Sequence, residues 1–166
     1  MIRDANFSDV PAIVRLLQEA HLRSHYAKDG TAAIDEAETK RLLVTAIQRH
    51  GHKTGGGCWV QVSDFGAGIN GLILGTLVRV YAIYDKLMAS DIFWLTNEHA
   101  DPRAALGLVK GFVAWAKSSP HVIEIKCGTT SIISDDPAKA GRILEHMGMK
   151  PYGNIYRMGF EKELTP

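Results

Sequence analysis

Apolar residues recur at helical spacing in four stretches. Val10, Ile13, Val14, Leu17 and Ala20 predict a helix from Ser8, its cap, to about Ser24. Leu42, Leu43, Ala46 and Ile47 predict a second, opened by Asp35 with Glu38 three residues on, as in a capping box, and stopped at Gly51. The third has Asp101 as cap and Pro102 in its first turn, where a missing N–H costs nothing; Leu106, Val109, Phe112, Val113 and Ala116 face inward before Pro120. The fourth follows Asp136-Pro137, buries Ala140, Ile143, Leu144 and Met147, and ends at Gly148.

Between the helices lie β-rich runs: Met1–Ala5, Cys58–Ser63, Leu72–Tyr84, Leu87–Thr96 and Val122–Gly128. A closing pair is predicted around Tyr152–Arg157 and Met158–Glu163. The run Leu72–Tyr84 alternates poorly, which suits a bent or bulged strand. Three neighbouring strands on short turns argue for antiparallel pairing, and the later strand–helix–strand units for parallel pairing. The expected fold is α/β in the α+β sense: a mixed sheet of six to seven strands with four helices on both faces.

The 166 residues suit one domain, 1–166, and 46% hydrophobic residues suffice for a core. With 19 basic and 18 acidic residues the charge is nearly balanced, so no nucleic-acid partner is implied. No apolar run reaches membrane-spanning length and no signal peptide is read at the start, so no membrane partner is expected. Two cysteines, Cys58 and Cys127, are too few for a disulfide framework; the expected setting is reducing and cytoplasmic.

Some motifs fail on physical grounds. Gly66-Ala67-Gly68-Ile69-Asn70-Gly71 spells a dinucleotide fingerprint, but a strand follows it where the pyrophosphate needs a helix, so it reads as a hairpin loop. Lys53-Thr54 precedes Gly55–Gly57, the reverse of P-loop order. His50, His52 and Cys58 lack a fourth ligand at zinc-like spacing, so no metal is expected. Cys127 has no local sequence that would pair it with a histidine and reads as a core thiol.

The informative region is Asp91–Lys117. The apolar strand Ile92-Phe93-Trp94-Leu95 leaves through Thr96–Ala100 into the helix opened by Asp101-Pro102-Arg103. A strand that feeds a helix start presents free backbone N–H groups and the positive end of the dipole, an anion site to which Arg103 adds a charge. In this order of elements the chain resembles the GNAT superfamily of acyl-CoA-dependent N-acyltransferases over nearly its whole length. Pro102-Arg103-Ala104-Ala105-Leu106-Gly107-Leu108 occupies the place of that family's P-x-x-R-x-x-G-x-G/A loop, with Arg103 and Gly107 kept in shifted form and Leu106 and Leu108 where small residues are usual. Trp115-Ala116-Lys117 matches the end of the helix, and Leu144-Glu145-His146-Met147-Gly148-Met149-Lys150-Pro151 resembles the family's Y-E-K-L-G-F-K-P ending, with Leu144 in place of the tyrosine. The degenerate loop, with Gly128-Thr129-Thr130-Ser131 after the fifth strand, resembles divergent phage-type members.

The resemblance implies transfer of an acetyl group from acetyl-CoA to the amine of a small molecule or protein, by direct attack. It implies cofactor contacts from Leu95 and Asn97, pairing with pantetheine like an added strand, and from Arg103, Ala104, Ala105, Leu106, Gly107 and Leu108 at the diphosphate. Glu98 and His99 are the candidate bases, because a lysine-like amine with a pKa of about 10.4 must lose a proton before it attacks. Tyr156 is the candidate acid for the departing thiolate. His25 and Tyr26, after the first helix, are candidates to line the acceptor pocket, and a homodimer is compatible. A second reading keeps the fold without catalysis, as a binding or structural module.

Overall fold

The computed structural model describes residues 1–65, 68–128 and 137–160. Gly66, Ala67, Thr129 to Ser131, Asp136 and the end of the expected last strand lie outside the described residues. The elements are β1 (Ile2–Asp4), α1 (Val10–Leu22), the short α2 (His25–Lys28), α3 (Glu36–Gln48), β2 (Cys58–Asp64), β3 (Ile69–Arg79), β4 (Leu87–Thr96), α4 (Ala104–Lys117), β5 (Val122–Lys126) and α5 (Pro137–His146). The sheet runs β1-β2-β3-β4-β5, antiparallel except for the parallel β4–β5 pair.

Helices cover both faces of this sheet. Ile13 and Leu17 of α1 and Leu43 of α3 pack on Val60, Val62, Leu72, Leu74 and Leu95. Leu108, Val109 and Phe112 of α4 and Leu144 of α5 pack on Ile73, Leu77, Leu87 and Ala89. Leu72, Ile73 and Leu74 thus serve the two layers in turn, which is why β3 reads as a continuous apolar run. Each large side chain buried here contributes roughly 1.5–3 kcal/mol. Gly75 lets α4 approach: a Cβ at that position would lie 2.3 Å from Phe112 Cε2.

Several boundaries differ from expectation. Asn6, not Ser8, caps the first helical turn: its side chain accepts the Ser8 N–H while Asp9 accepts the Asn6 N–H. Asp35 does cap α3 through the Glu38 N–H, but the Glu38 carboxylate turns to Arg41 rather than back to the cap. The predicted third helix starts two residues late, at Ala104, and buries Leu108 where Leu106 was expected; Leu106 is half-buried. The third strand stops at Arg79 because Tyr81 (φ 47°) and Ala82 (φ 63°) turn left-handed. Residues 149–160 form no strand, so the described sheet has five strands, not six or seven, and five helices rather than four.

The chain start is held by Arg3, whose guanidinium donates to Asp9 at 2.7 and 2.9 Å and to Asp64 at 2.7 and 3.2 Å. These bonds draw the Asp9 carboxyl below its ordinary range.

Candidate functional site

The β4–β5 pairing ends at Ser90↔Lys126. One residue on, β4 carries a bulge: Leu74 pairs with Phe93 but Gly75 with Asp91, leaving Ile92 extra. The bulge exchanges which residues face each neighbour. Before it, the Leu87 N–H donates to His121 on the β5 side; after it, the Asn97 N–H donates to Asn70 of β3. Backbone groups alternate along a strand, so Leu95 and Phe93 also face β3, while Trp94 and Thr96 face the side that β5 has left. The Leu95 and Asn97 N–H groups, for which pairing with a cofactor was expected, therefore face β3. Among the described residues nothing pairs with the Trp94 and Thr96 backbone on that side, which leaves a gap in the pairing along β4.

Asp91 sits at its apex. Its Oδ1 accepts the Gly128 N–H at 3.0 Å, so a side chain pins the departing chain where backbone pairing stops. Burial raises the Asp91 carboxyl above its usual range, partly offset by that hydrogen bond. Beside it the Cys127 thiol is pushed up to about 12, first by burial and then by the Asp91 charge, so it is a neutral thiol rather than a nucleophile. Sequence reasoning missed Asp91. Its only signal was an acid within the strand run Ala89-Ser90-Asp91-Ile92-Phe93.

At the open end of the gap stands the start of α4. Asp101 takes the Arg103 N–H on its side chain at 2.7 Å and the Ala104 N–H on its carbonyl at 2.8 Å; Gly107 donates to Arg103 at 2.9 Å. The N–H groups of Ala105 and Leu106 have no acceptor among the described residues. The Trp94 indole donates to the Ala105 carbonyl at 3.1 Å and ties the helix start to the gap wall. Arg103 is exposed, whereas Leu108 is fully buried in the core and does not obstruct the opening.

The other predicted residues are scattered. Glu98 and His99 stand beyond the strand end with side chains 84% and 76% exposed. Tyr156 is 89% exposed and lies in no strand, unlike the closing strand expected for it. Leu144, at the family tyrosine's place, is buried against α4. His25 and Tyr26 do lie together, ring centroids 4.1 Å apart, with Arg157 over the Tyr26 ring and His25 Nε2 buried without a hydrogen-bond partner among the described residues. No group of metal-ligating side chains occurs among the described residues, and His50 instead stacks on Trp59 and accepts the Val60 N–H.

No protein-family model and no curated protein sequence matches the chain. Solved structures do. A ribosomal-protein-alanine N-acetyltransferase from Brucella melitensis superposes with a TM-score of 0.69 at 14% identity, over 92% of this chain and 86% of that one. Glucosamine-6-phosphate N-acetyltransferase from Arabidopsis thaliana gives 0.68 at 11% identity, over 97% and 98%. The chain has the GNAT fold. A Bacillus halodurans protein described as a transcriptional regulator superposes equally well, with a TM-score of 0.68 at 16% identity over 96% and 99%. At these identities the likeness is one of fold. The GNAT fold accounts for the mixed sheet and the helix layers. No described helix is long and apolar enough to cross a membrane.

Proposed function

We propose that the protein is an N-acetyltransferase that moves an acetyl group from acetyl-CoA to an amine by direct attack. The observation that carries this reading is the gap itself: among the described residues, a β4 edge without a partner beside a helix start with two unengaged amides. That combination fits an amide-bearing chain with a diphosphate at one end. Trp94 and Thr96 pair with the chain as a neighbouring strand would. The Ala105 and Leu106 N–H groups and the Arg103 guanidinium hold the diphosphate. Leu108, buried in the core, leaves that opening free.

When bound, acetyl-CoA supplies an acyl carbon activated as a thioester. The base belongs at the apex of the gap, opposite the diphosphate end. β4 runs on from Asp91 to Thr96, about 17 Å of extended strand, and Glu98 lies past its end. Glu98 and His99 therefore border the nucleotide end, and we assign proton removal to Asp91, directly or through one water. Its raised carboxyl makes it a stronger base than a solvated carboxylate. The amine nitrogen bonds to the acyl carbon, the carbon–sulfur bond breaks, and the amine's proton passes by Asp91 and solvent to the thiolate. A thiol pKa of about 8.5 makes that thiolate a fair leaving group, so Tyr156 is not needed. His25 and Tyr26 form the acceptor wall.

A module that binds without transfer is the second reading, favoured by the buried Leu144 and the exposed Tyr156. Thermal unfolding with acetyl-CoA and with desulfo-CoA, alongside an amine-panel assay, separates the two. Both ligands should raise the melting temperature by mass action, about 2.7 kcal/mol at a hundredfold excess over Kd. Stabilisation with turnover favours the transferase; no stabilisation at millimolar ligand sinks it and favours the module.

A further inference from the structure

The turn from β3 to β4, Val80-Tyr81-Ala82-Ile83-Tyr84-Asp85-Lys86, is apolar where turns are ordinarily polar. Tyr81, Ile83 and Tyr84 stand out from it. The Tyr81 and Tyr84 rings meet edge to face at 6.4 Å, and the Tyr152 hydroxyl joins them 3.3 Å from that of Tyr81. All four side chains belong to residues between 55% and 81% exposed. They lie where β4 begins; the strand's ten residues, about 30 Å, separate them from the end that leads to α4.

The backbone holds these side chains outward. Val80 anchors the turn: it is buried, its N–H donates to the Lys86 carbonyl at 3.0 Å, and its own carbonyl accepts from Ile83 at 3.3 Å and Tyr84 at 3.1 Å. Beyond it Tyr81 and Ala82 take left-handed φ values of 47° and 63°, unfavourable for residues with a Cβ. The Lys126 ammonium sits 4.4 Å from the Tyr81 ring and 5.0 Å from the Tyr152 ring, fixing both against β5. Strain of this kind survives only where the surroundings over-determine it, and it gathers at places that bind or switch. A contiguous apolar patch this large marks a contact site.

The rim of the patch decides what covers it. Asp85 and Lys86 stand side by side, Lys126 lies 3.5 Å from Glu124, and the Arg79 guanidinium donates to the Tyr84 carbonyl at 3.4 Å. Acids and bases are thus interspersed, so a strongly acidic or strongly basic partner gains little from this rim. A twofold contact needs this mixture, because on two identical surfaces each acid must find a base. The four side chains offer about 600 Å² in each copy, about 1,200 Å² in all, which reaches the lower end of the range for a specific dimer. We propose that this patch docks a second copy of the chain about a twofold axis, ring against ring, with Asp85 of each copy opposite Lys86 of the other. Side chains make the contact, and no strand is added to either sheet.

The test needs no cofactor, so its outcome is independent of the acetyltransferase reading. Sedimentation of the full chain should give the mass of two copies. Ile83→Asp changes the most exposed residue of the patch, so the circular dichroism of the fold should not move, while association should weaken at least a hundredfold. D85K and K86D should each weaken association roughly tenfold, and the double reversal D85K/K86D should restore it. A wild-type monomer at high micromolar concentration overturns the proposal. So does a dimer that Ile83→Asp and the single reversals leave intact, because another face would then hold it.

Discussion

Asp91 and Asp9 are both partly withdrawn from water, yet their environments push them in opposite directions. Asp9 has Arg3 as partner, and its lowered pKa contributes stability that is present above the unfolded value and lost as pH falls through the depressed one. Asp9→Asn should cost about 1–3 kcal/mol and weaken acid sensitivity, read from unfolding curves between pH 7 and pH 3. Asp91 has an amide rather than a cation as its partner among the described residues, and its raised pKa makes the charged form a burden that fades as pH falls through the folded value. Asp91→Asn keeps an acceptor for Gly128, so its melting temperature at pH 7 should stay level or rise. Acetyl transfer should fall by 10²–10⁴ and lose the acid limb of its pH profile. An Asn variant with wild-type turnover would move the base elsewhere. Cys127 follows the same logic: with its thiol at about 12, iodoacetamide at pH 8 should label it far more slowly in the native protein than in urea.

Among the elements, β4 carries the bulge and the turn before it holds two left-handed residues. Gly75, opposite the bulge, leaves room for Phe112, and its replacement by Ala should cost about 1–3 kcal/mol through overpacking. In the Val80–Ala82 turn, Ala82 is exposed at φ 63°, where a side chain is unfavourable. Ala82→Gly should therefore raise stability by a few tenths to about 1 kcal/mol in denaturant titrations. The four longer helices could be read from the sequence because each keeps its apolar stripe whatever it packs on, whereas the short α2 buries no residue and has none. The start of α4 was displaced because the Asp101 carboxylate stops at the Arg103 amide, a choice between neighbouring N–H groups that spacing does not reveal. The bulge was hidden for a deeper reason: a surplus residue exists only relative to a partner strand. Hence Asp91 was visible as an odd acid in β4 while its place at the apex was not.

For the whole molecule, the layers follow from two covered faces, and the continuous apolar character of β3 announces them. The far edge did not follow. Residues 152–160 have a strand's composition, but composition cannot say which edge they will meet, and among the described residues they meet none. At this scale the donor site predicts a coupling. Arg103→Glu places an anion beside the proposed diphosphate and should abolish most of the thermal stabilisation by acetyl-CoA, while Glu98→Gln should leave it nearly intact. The reverse order in a thermal-shift series would mean that the diphosphate lies elsewhere.

The bond from the Trp94 indole to the Ala105 carbonyl gives the molecule a built-in optical probe. Of the three tryptophans, Trp59 and Trp115 stack on each other in the interior, while Trp94 alone joins the gap wall to the helix start. A variant with Phe at 59 and 115 would emit from this junction only, so a ligand that shifts the helix would announce itself as a change in colour or intensity, without any label.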